Sequence, residues 1–533
     1  MNKFFYYYNS LCIGANTPSS FSYDPYVTAI KDVLVSELQQ VVYYIEKLKN
    51  LDIDMSEYTD KVIDFISVLI VNLDFNKESF FVIVEDLNKN KNLLEQLYIS
   101  ACDKHSKTPE LLNGTDFDYS SKENILKALN DREKNLKNKE LNVEIPKNKK
   151  NLYEIMINLV LNSCNCLIEL KTFDVNFQKA KDKVLKLLNS TNFPKHSVEE
   201  LINIIKGFSK CNYEIMKLLY ENIVTKYGPV IKNEVPRNIL KGKSILVSGT
   251  SFKDLEKILR AVNGLNINVY VHHEMISAFQ YEKFLEFENL VGFYQKSNNN
   301  FPLDFASFSG PIYISRNSIP KIDVIRGQIY TSAKYPSLGI SKIENDDFSP
   351  LIKYALESEG FLKEEKLSSV QIGYSEKDIE YSVDIICNKL IIGEVKHIFI
   401  IGLIDQFNPN STYIDDFIKN CPNDCAVIAF ANVQSLDNVL YVNSFFDFSI
   451  LYKIVEQIIE NISDYQNKLS VILADCNSST LSHIFNLIHL KVKNIFLGPC
   501  CPNIINPSLL DGMQDLFNVK SLSTPIEDIE KVI

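Results

Sequence analysis

The sequence predicts an α + α/β multidomain chain, with a helical bundle over residues 1–236 and two Rossmann-like, parallel-sheet α/β domains over 237–373 and 374–533. Three observations predict it. Apolar residues recur at three- and four-residue steps from about residue 26 to 235, the period of a helix face. After Pro236 short apolar strands alternate with helical stretches, the pattern of a parallel sheet covered on both faces. Near residue 374 the alternation begins again. A length of 533 residues accommodates about three domains.

In the first region, Ile30, Val33, Leu34, Leu38, Val41, Val42 and Ile45 mark a helix over Val27–Leu51. The stretches Val62–Leu73, Lys91–Ala101, Tyr153–Leu170, Phe177–Leu188 and Val198–Leu219 repeat the pattern. Asp131–Asn151, rich in Lys, Asn and Glu, reads as a solvated helix end or a linker between helical bundles. In the second region Ser244–Gly249, Asn268–His272, Pro311–Ser315 and Gln328–Thr331 are the expected strands. Thr250 or Ser251 is placed to cap a helix over Phe252–Val262. In the third, the strands are His397–Ile401, Ala426–Ala429, Val439–Val442, Ser470–Ala474 and Asn494–Leu497, with helices such as Ile450–Ile462 and Leu481–Leu490 between them.

Composition narrows the function. Hydrophobic residues at 46% and charged residues at 23% are those of a folded globular chain. A net charge of −11 argues against a nucleic-acid partner, which needs a basic face. No apolar run reaches the roughly 18 residues of a spanning helix, so no membrane partner is expected. Phe4-Phe5-Tyr6-Tyr7-Tyr8 is too short and Tyr-rich for a signal peptide, and the expected location is the cytoplasm. The 11 cysteines are then expected as free thiols, mostly buried and inert. None is spaced C-x-x-C, and Cys421-x3-Cys425 without a second pair is a weak metal signal.

Open α/β sheets form their sites beyond the carboxyl ends of the strands. The loop Ser248–Asp254 offers backbone N–H groups to an anion, but it lacks G-x-G-x-x-G and the P-loop lysine, and helix capping accounts for it. His272-His273-Glu274 sets a carboxylate beside two imidazoles, with His272 a possible metal ligand. Neighbours on a strand point to opposite faces, so at most two of the three are expected to share a site. No hydrolase elbow occurs, and nothing supports pairing Cys476 with a histidine.

Several stretches, in order, carry a resemblance: Cys211–Gly228, Ile245–Leu259, Asn268–Ala278 (NVYVHHEMISA), Leu290–Tyr294, Gly310–Ile319 (GPIYISRNSI), Asp347–Pro350, Val492–Pro499 and Thr524–Asp528. Through them the chain resembles the hybrid cluster proteins, also called prismane proteins or hydroxylamine reductases, from about residue 200 to the end. The first 200 residues fit that family in length and class. The resemblance implies an oxidoreductase that reduces hydroxylamine, with nitric oxide reduction also ascribed to the family. It implies a cubane on four N-terminal cysteines beginning C-x-x-C, and an iron–sulfur–oxygen cluster where three domains meet, held by one His, two Glu and four Cys.

This sequence departs from that donor set. Thr250 stands where the family has its ligand His, and Glu274 alone is retained. Ser318 and Ile404 stand at two cysteine positions, and Asn432 and Phe445 at the next two. Asn477 takes the place of the second Glu and Ser479 of a nearby Lys, while the N-terminal C-x-x-C has become Phe5 to Tyr8. Thiolates are the soft ligands that hold iron–sulfur clusters. Ile404 and Phe445 have no donor atom, and recruiting Cys425, Cys476, Cys500 and Cys501 instead would take several independent re-ligations. Ile404 and Phe445 are expected to fill part of the vacated cavity. The expectation is therefore a pseudoenzyme without cofactor or confident catalytic residues, acting as a binding, scaffold or structural protein, as a homo-oligomer or with a protein partner. The alternatives are a hydroxylamine or nitric oxide reductase with an altered iron–sulfur or other iron cluster, and an interdomain cavity reused for a small ligand.

Overall fold

The structure, a computed structural model, describes residues 25–71, 77–112, 121–137, 146–192, 196–296, 301–315, 328–333, 336, 339–402, 413–430, 439–444, 449–473, 480–497 and 507–533. The chain divides into two compact units, one built on Ser19–Ile215 and the other on Met216–Lys334 with Gly339–Ile533.

Helices α1 (Pro25–Lys49), α2 (Ser56–Val71), α3 (Lys77–Lys104), α4 (Lys122–Lys137), α5 (Lys147–Thr172) and α6 (Gln178–Ser190) lie in the first unit, and α7 (Val198–Tyr227) begins there. In it α1 packs on α2, α3, α4 and α6, and α5 packs on α2 and α6. The apolar stripe of α1 explains its place: Ile30, Val33, Leu34, Leu38, Val41, Val42 and Ile45 are all buried. In α5, Leu152, Ile155, Met156, Leu159, Val160 and Leu167 are buried likewise. Buried Lys181 is held by Asp60 at 2.6 Å and Asn176 at 2.8 Å, as a buried cation requires. The stretch 131–151 turns out to hold the end of α4 and the start of α5, with 138–145 outside the described residues.

The second unit contains two six-stranded parallel sheets. The strands are β1 (Asn233–Val235), β2 (Lys243–Ser248), β3 (Ile267–His272), β4 (Leu290–Phe293), β5 (Ile312–Ile314), β6 (Ile329–Thr331), β7 (Ser341–Lys342), β8 (Val370–Ile372), β9 (His397–Gly402), β10 (Cys425–Phe430), β11 (Val439–Tyr441), β12 (Leu469–Leu473), β13 (Asn494–Leu497) and β14 (Val519–Ser521). The first sheet runs β4-β3-β2-β5-β6-β7 and the second β11-β10-β9-β12-β13-β14. Both orders are the doubly wound order 3-2-1-4-5-6, whose switch point lies beside the first strand laid down. The central strands are apolar on both faces, as parallel sheets demand: Ile245–Val247, Val269–Val271, Ile398–Ile401 and Val471–Leu473 are buried throughout. A small antiparallel ribbon, β1 with β8, pairs Asn233 with Ile372 and Val235 with Val370.

Helices α8 (Phe252–Ala261), α9 (Glu282–Leu285), α10 (Phe301–Ser307) and α11 (Ser349–Glu357) accompany the first sheet in sequence. The second has α12 (Glu376–Ile391), α13 (Tyr413–Asn420), α14 (Ser449–Asn461), α15 (Tyr465–Lys468), α16 (Thr480–His489), α17 (Pro507–Phe517) and α18 (Pro525–Glu530). Ser251, not Thr250, caps α8, its hydroxyl accepting from the Asp254 N–H at 3.4 Å. Thr524 and Glu527 close a reciprocal capping box on α18, with Pro525 in its first turn. Among the described residues no helix is long and apolar enough to cross a membrane.

Candidate functional site at the carboxyl edges of the sheets

In sequence, each position matched to a hybrid-cluster ligand after residue 240 follows the carboxyl end of a strand. Thr250 follows β2, Glu274 β3, Ser318 β5, Ile404 β9, Asn432 β10, Phe445 β11, and Asn477 with Ser479 β12. Ser318, Ile404, Asn432, Phe445, Asn477 and Ser479 lie outside the described residues, as do Phe5 to Tyr8, so the expected cavity filling lies outside them too. Thr250, His272 and Glu274 are described, at the edge of the first sheet.

The register of β2 with β3 places Ser248 opposite His272. Ser248 Oγ lies 3.1 Å from His272 Nδ1, and His272 Nε2 lies 3.3 Å from Asp304 Oδ2. His272 and Asp304 are both 0% exposed. The other oxygen of Asp304 accepts from the Lys296 backbone N–H at 2.9 Å. The Phe305 ring lies 5.0 Å from the imidazole. The chain thus brings a hydroxyl, an imidazole and a carboxylate into one buried row. The groups are those of a nucleophilic triad, but buried Ser248 is closed to a substrate. With both ring nitrogens engaged, His272 can ligate a metal only by giving up one of these bonds.

His273 leaves the strand. Its φ of 52° is in the left-handed region and starts a 3-10 turn over His273–Gln280, so strand alternation ends at His272. Strand alternation therefore does not reach His273 and Glu274. The two imidazole rings lie 6.2 Å apart. Burial, reinforced by His272, pushes the His273 pKa down to about 3, so the ring is neutral near pH 7. Glu274 sits half-buried in the first turn, its carbonyl accepting from Ser277 Oγ at 2.6 Å.

Thr250 meets the switch point of the first sheet. Its backbone N–H donates to Ser315 Oγ at 3.0 Å, and the Ser315 N–H donates to the Ser248 carbonyl at 3.0 Å. Gly249, at φ 110°, makes this approach possible: a Cβ there would fall 2.0 Å from Ser315 Oγ. The Thr250 N–H and the Ser251 hydroxyl are therefore spent on holding the loop and capping α8.

The described cysteines lie elsewhere. Cys102, Cys164, Cys166 and Cys211 belong to helices α3, α5 and α7, and Cys387 to α12. Burial pushes the Cys166 thiol up to about 12 and those of Cys211 and Cys387 up to about 11, and raises Cys164 also. Cys425 is the first residue of β10, at the amino end of the strand, so it starts five residue steps, or about 16 Å, from the carboxyl edge. It is not placed to substitute for a lost ligand there. Cys476, Cys500 and Cys501 lie outside the described residues. Among the described residues no three His, Cys, Asp or Glu side chains gather as a metal site would need.

Known proteins agree with the layout. The model of the Prismane/CO dehydrogenase family matches residues 24–434. The chain is 28% identical over 351 residues to a hydroxylamine reductase of Maridesulfovibrio salexigens, covering 63% of this chain and 66% of that protein. It is 27% identical over 347 residues to the hydroxylamine reductase of Thermodesulfovibrio yellowstonii, covering 62% and 64%. Against the hydroxylamine reductase of Salmonella typhi it is 27% identical over 349 residues, again 62% and 64%. The match spans just under two thirds of these relatives' length. With more than half of its residues under the family model, the chain belongs to the Prismane/CO dehydrogenase family.

Proposed function

We propose that this chain is a cluster-free homologue of the hybrid cluster proteins: a cytoplasmic, non-catalytic protein that acts by binding or as a scaffold, as a homo-oligomer or with a protein partner. The observation that carries the reading is the donor set at the carboxyl edges. A multi-iron cluster needs several thiolates together with imidazole and carboxylate ligands. Here the matched positions carry Thr250, Ser318, Ile404, Asn432, Phe445 and Asn477, with Glu274 as the one retained ligand. The backbone N–H of Thr250 is committed to Ser315, and the nearby His272 to Ser248 and Asp304. Cys425 begins at the far end of its strand. These residues do not fit the family's cluster, and without the cofactor its chemistry has no carrier.

The names of the relatives favour a second reading: an oxidoreductase of the hydroxylamine reductase type with an altered metal site. Anaerobic purification followed by iron analysis, absorbance spectroscopy and a hydroxylamine assay with a reduced dye separates the two. The proposal expects a colourless protein without stoichiometric iron and no reduction above the dye alone. A brown protein with several irons per chain and turnover establishes the second reading.

A further inference from the structure

Cys421 and Cys425 form a close thiol pair that the proposed function leaves unused. Cys421 follows α13 and Cys425 opens β10, and a tight turn joins them. The Cys421 N–H donates to the Ile418 carbonyl at 3.4 Å, and the Cys425 N–H to the Pro422 carbonyl at 2.9 Å. Both side chains meet one apolar cluster. Cys425, 2% exposed, sits in it with Phe399, Phe417, Ile418 and Val427, and the partly exposed Cys421 packs against its edge. The turn is also pinned from outside: Asp424 pairs with Lys396 Nζ at 2.6 Å, and the Asp424 carbonyl accepts the Lys396 N–H at 2.7 Å.

The two cysteines stand at either end of this turn, and Cys425 Sγ also reaches Asp424 Oδ1 at 3.9 Å. Pairing with Cys421 pulls the Cys425 pKa below the usual thiol range, against burial and Asp424, and pairing with Cys425 pushes the Cys421 thiol up. Burial raises Cys164, Cys166, Cys211 and Cys387 instead. The pair combines a buried sulfur able to carry charge with a reachable sulfur beside it, the arrangement of an exchanging dithiol.

We propose that Cys421 and Cys425 are a redox-active dithiol that closes to an intramolecular disulfide by exchange with a low-molecular-weight disulfide. Cys425, the more acidic sulfur of the pair, takes the proton from Cys421 as that partly exposed sulfur meets the external disulfide. The Cys421 thiolate attacks one sulfur of the external disulfide, forming a mixed disulfide and releasing one thiolate, which takes up a proton. Cys425 then passes its proton to solvent and attacks Cys421 Sγ. The mixed bond breaks, the second external thiolate leaves and is protonated, and the Cys421–Cys425 bond forms. Two protein thiols are oxidised and one external disulfide is reduced to two thiols.

The full chain, equilibrated anaerobically with oxidised and reduced glutathione in varied ratio, is quenched in acid, alkylated with N-ethylmaleimide under denaturing conditions and mapped by peptide mass. The peptide bearing Cys421 and Cys425 is expected to escape alkylation in oxidising mixtures, two hydrogens lighter, and to regain both adducts after dithiothreitol. Cys387, for which no neighbouring thiol is found among the described residues, serves as the control that stays alkylated. Cys425→Ser is expected to stop at a glutathione adduct on Cys421. Cys421→Ser is expected to slow glutathione addition to Cys425 at least tenfold, since that sulfur is buried. Full alkylation of both residues at every ratio in the wild-type chain, or a stable glutathione adduct like that of Cys425→Ser, overturns the proposal.

Discussion

Among the described residues, the carboxyl edge of the first sheet and the amino edge of the second carry different chemistry. The first presents Ser248, Thr250, His272, Glu274 and Ser315, an edge of hydroxyls, an imidazole and a carboxylate. The second presents Cys425 and, beside it, Cys421, with His397 opening the next strand. The parallel order of the strands puts loops for a site at the carboxyl edges. Among the described residues, the thiols near the sheets are at the opposite edge. Strand order depends on apolar packing and cluster binding on a few loop residues, so the framework does not by itself fix what its edge binds.

The two buried strand histidines sharpen the contrast. His272, at the carboxyl end of β3, is held between Ser248 and Asp304. His397, at the amino end of β9, meets Ser470 Oγ at 2.9 Å. Replacing Asp304 with Ala strands the His272 ring and the Lys296 N–H in an apolar interior, and is expected to cost about 3–4 kcal/mol by urea denaturation. A loss below about 1 kcal/mol would mean that the buried row contributes little to the carboxyl edge.

Acid should act next most strongly. Burial holds His397 down to about 4, helped by Lys520, and His483 down to about 3. Both stay neutral in the folded chain while the unfolded chain takes up protons below about pH 6.5. The unfolded state then binds more protons, so stability falls with pH from about 6.5 toward 4, by roughly 2 kcal/mol per histidine at pH 5. Urea midpoints between pH 7.5 and 5 check the sign, and His483→Gln should lessen the slope. A midpoint independent of pH over that range contradicts the burial of neutral imidazoles. The smallest effect is expected from Ser470→Ala, which leaves His397 Nε2 without this hydroxyl and should cost about 1 kcal/mol in the same titration.

Much of the fold was legible because the signals were local. The apolar runs of β2, β3, β9, β10 and β12 were readable as strands, and the stripe of α1 as a helix. The ribbon of β1 with β8, the two-residue β7 and the short β14 carry too few residues to show a period, and only tertiary pairing makes them strands. The α2 helix begins at Ser56 rather than Val62, because its first turn is polar and lacks the apolar spacing. At the site, Thr250, His272 and Glu274 are legible as residues at or just past strand ends, and Asp304 is not. It lies 32 residues from His272, a separation no local pattern spans. The available signal was a carboxylate between Leu303 and Phe305, an apolar setting in which a buried charge needs a partner.

Iron content tests the central claim most directly. Elemental analysis of the full chain, purified without oxygen and supplied with iron and sulfide, should return less than one iron per chain. Several irons per chain with visible iron–sulfur absorbance would contradict it and return the molecule to the redox enzymes of its family.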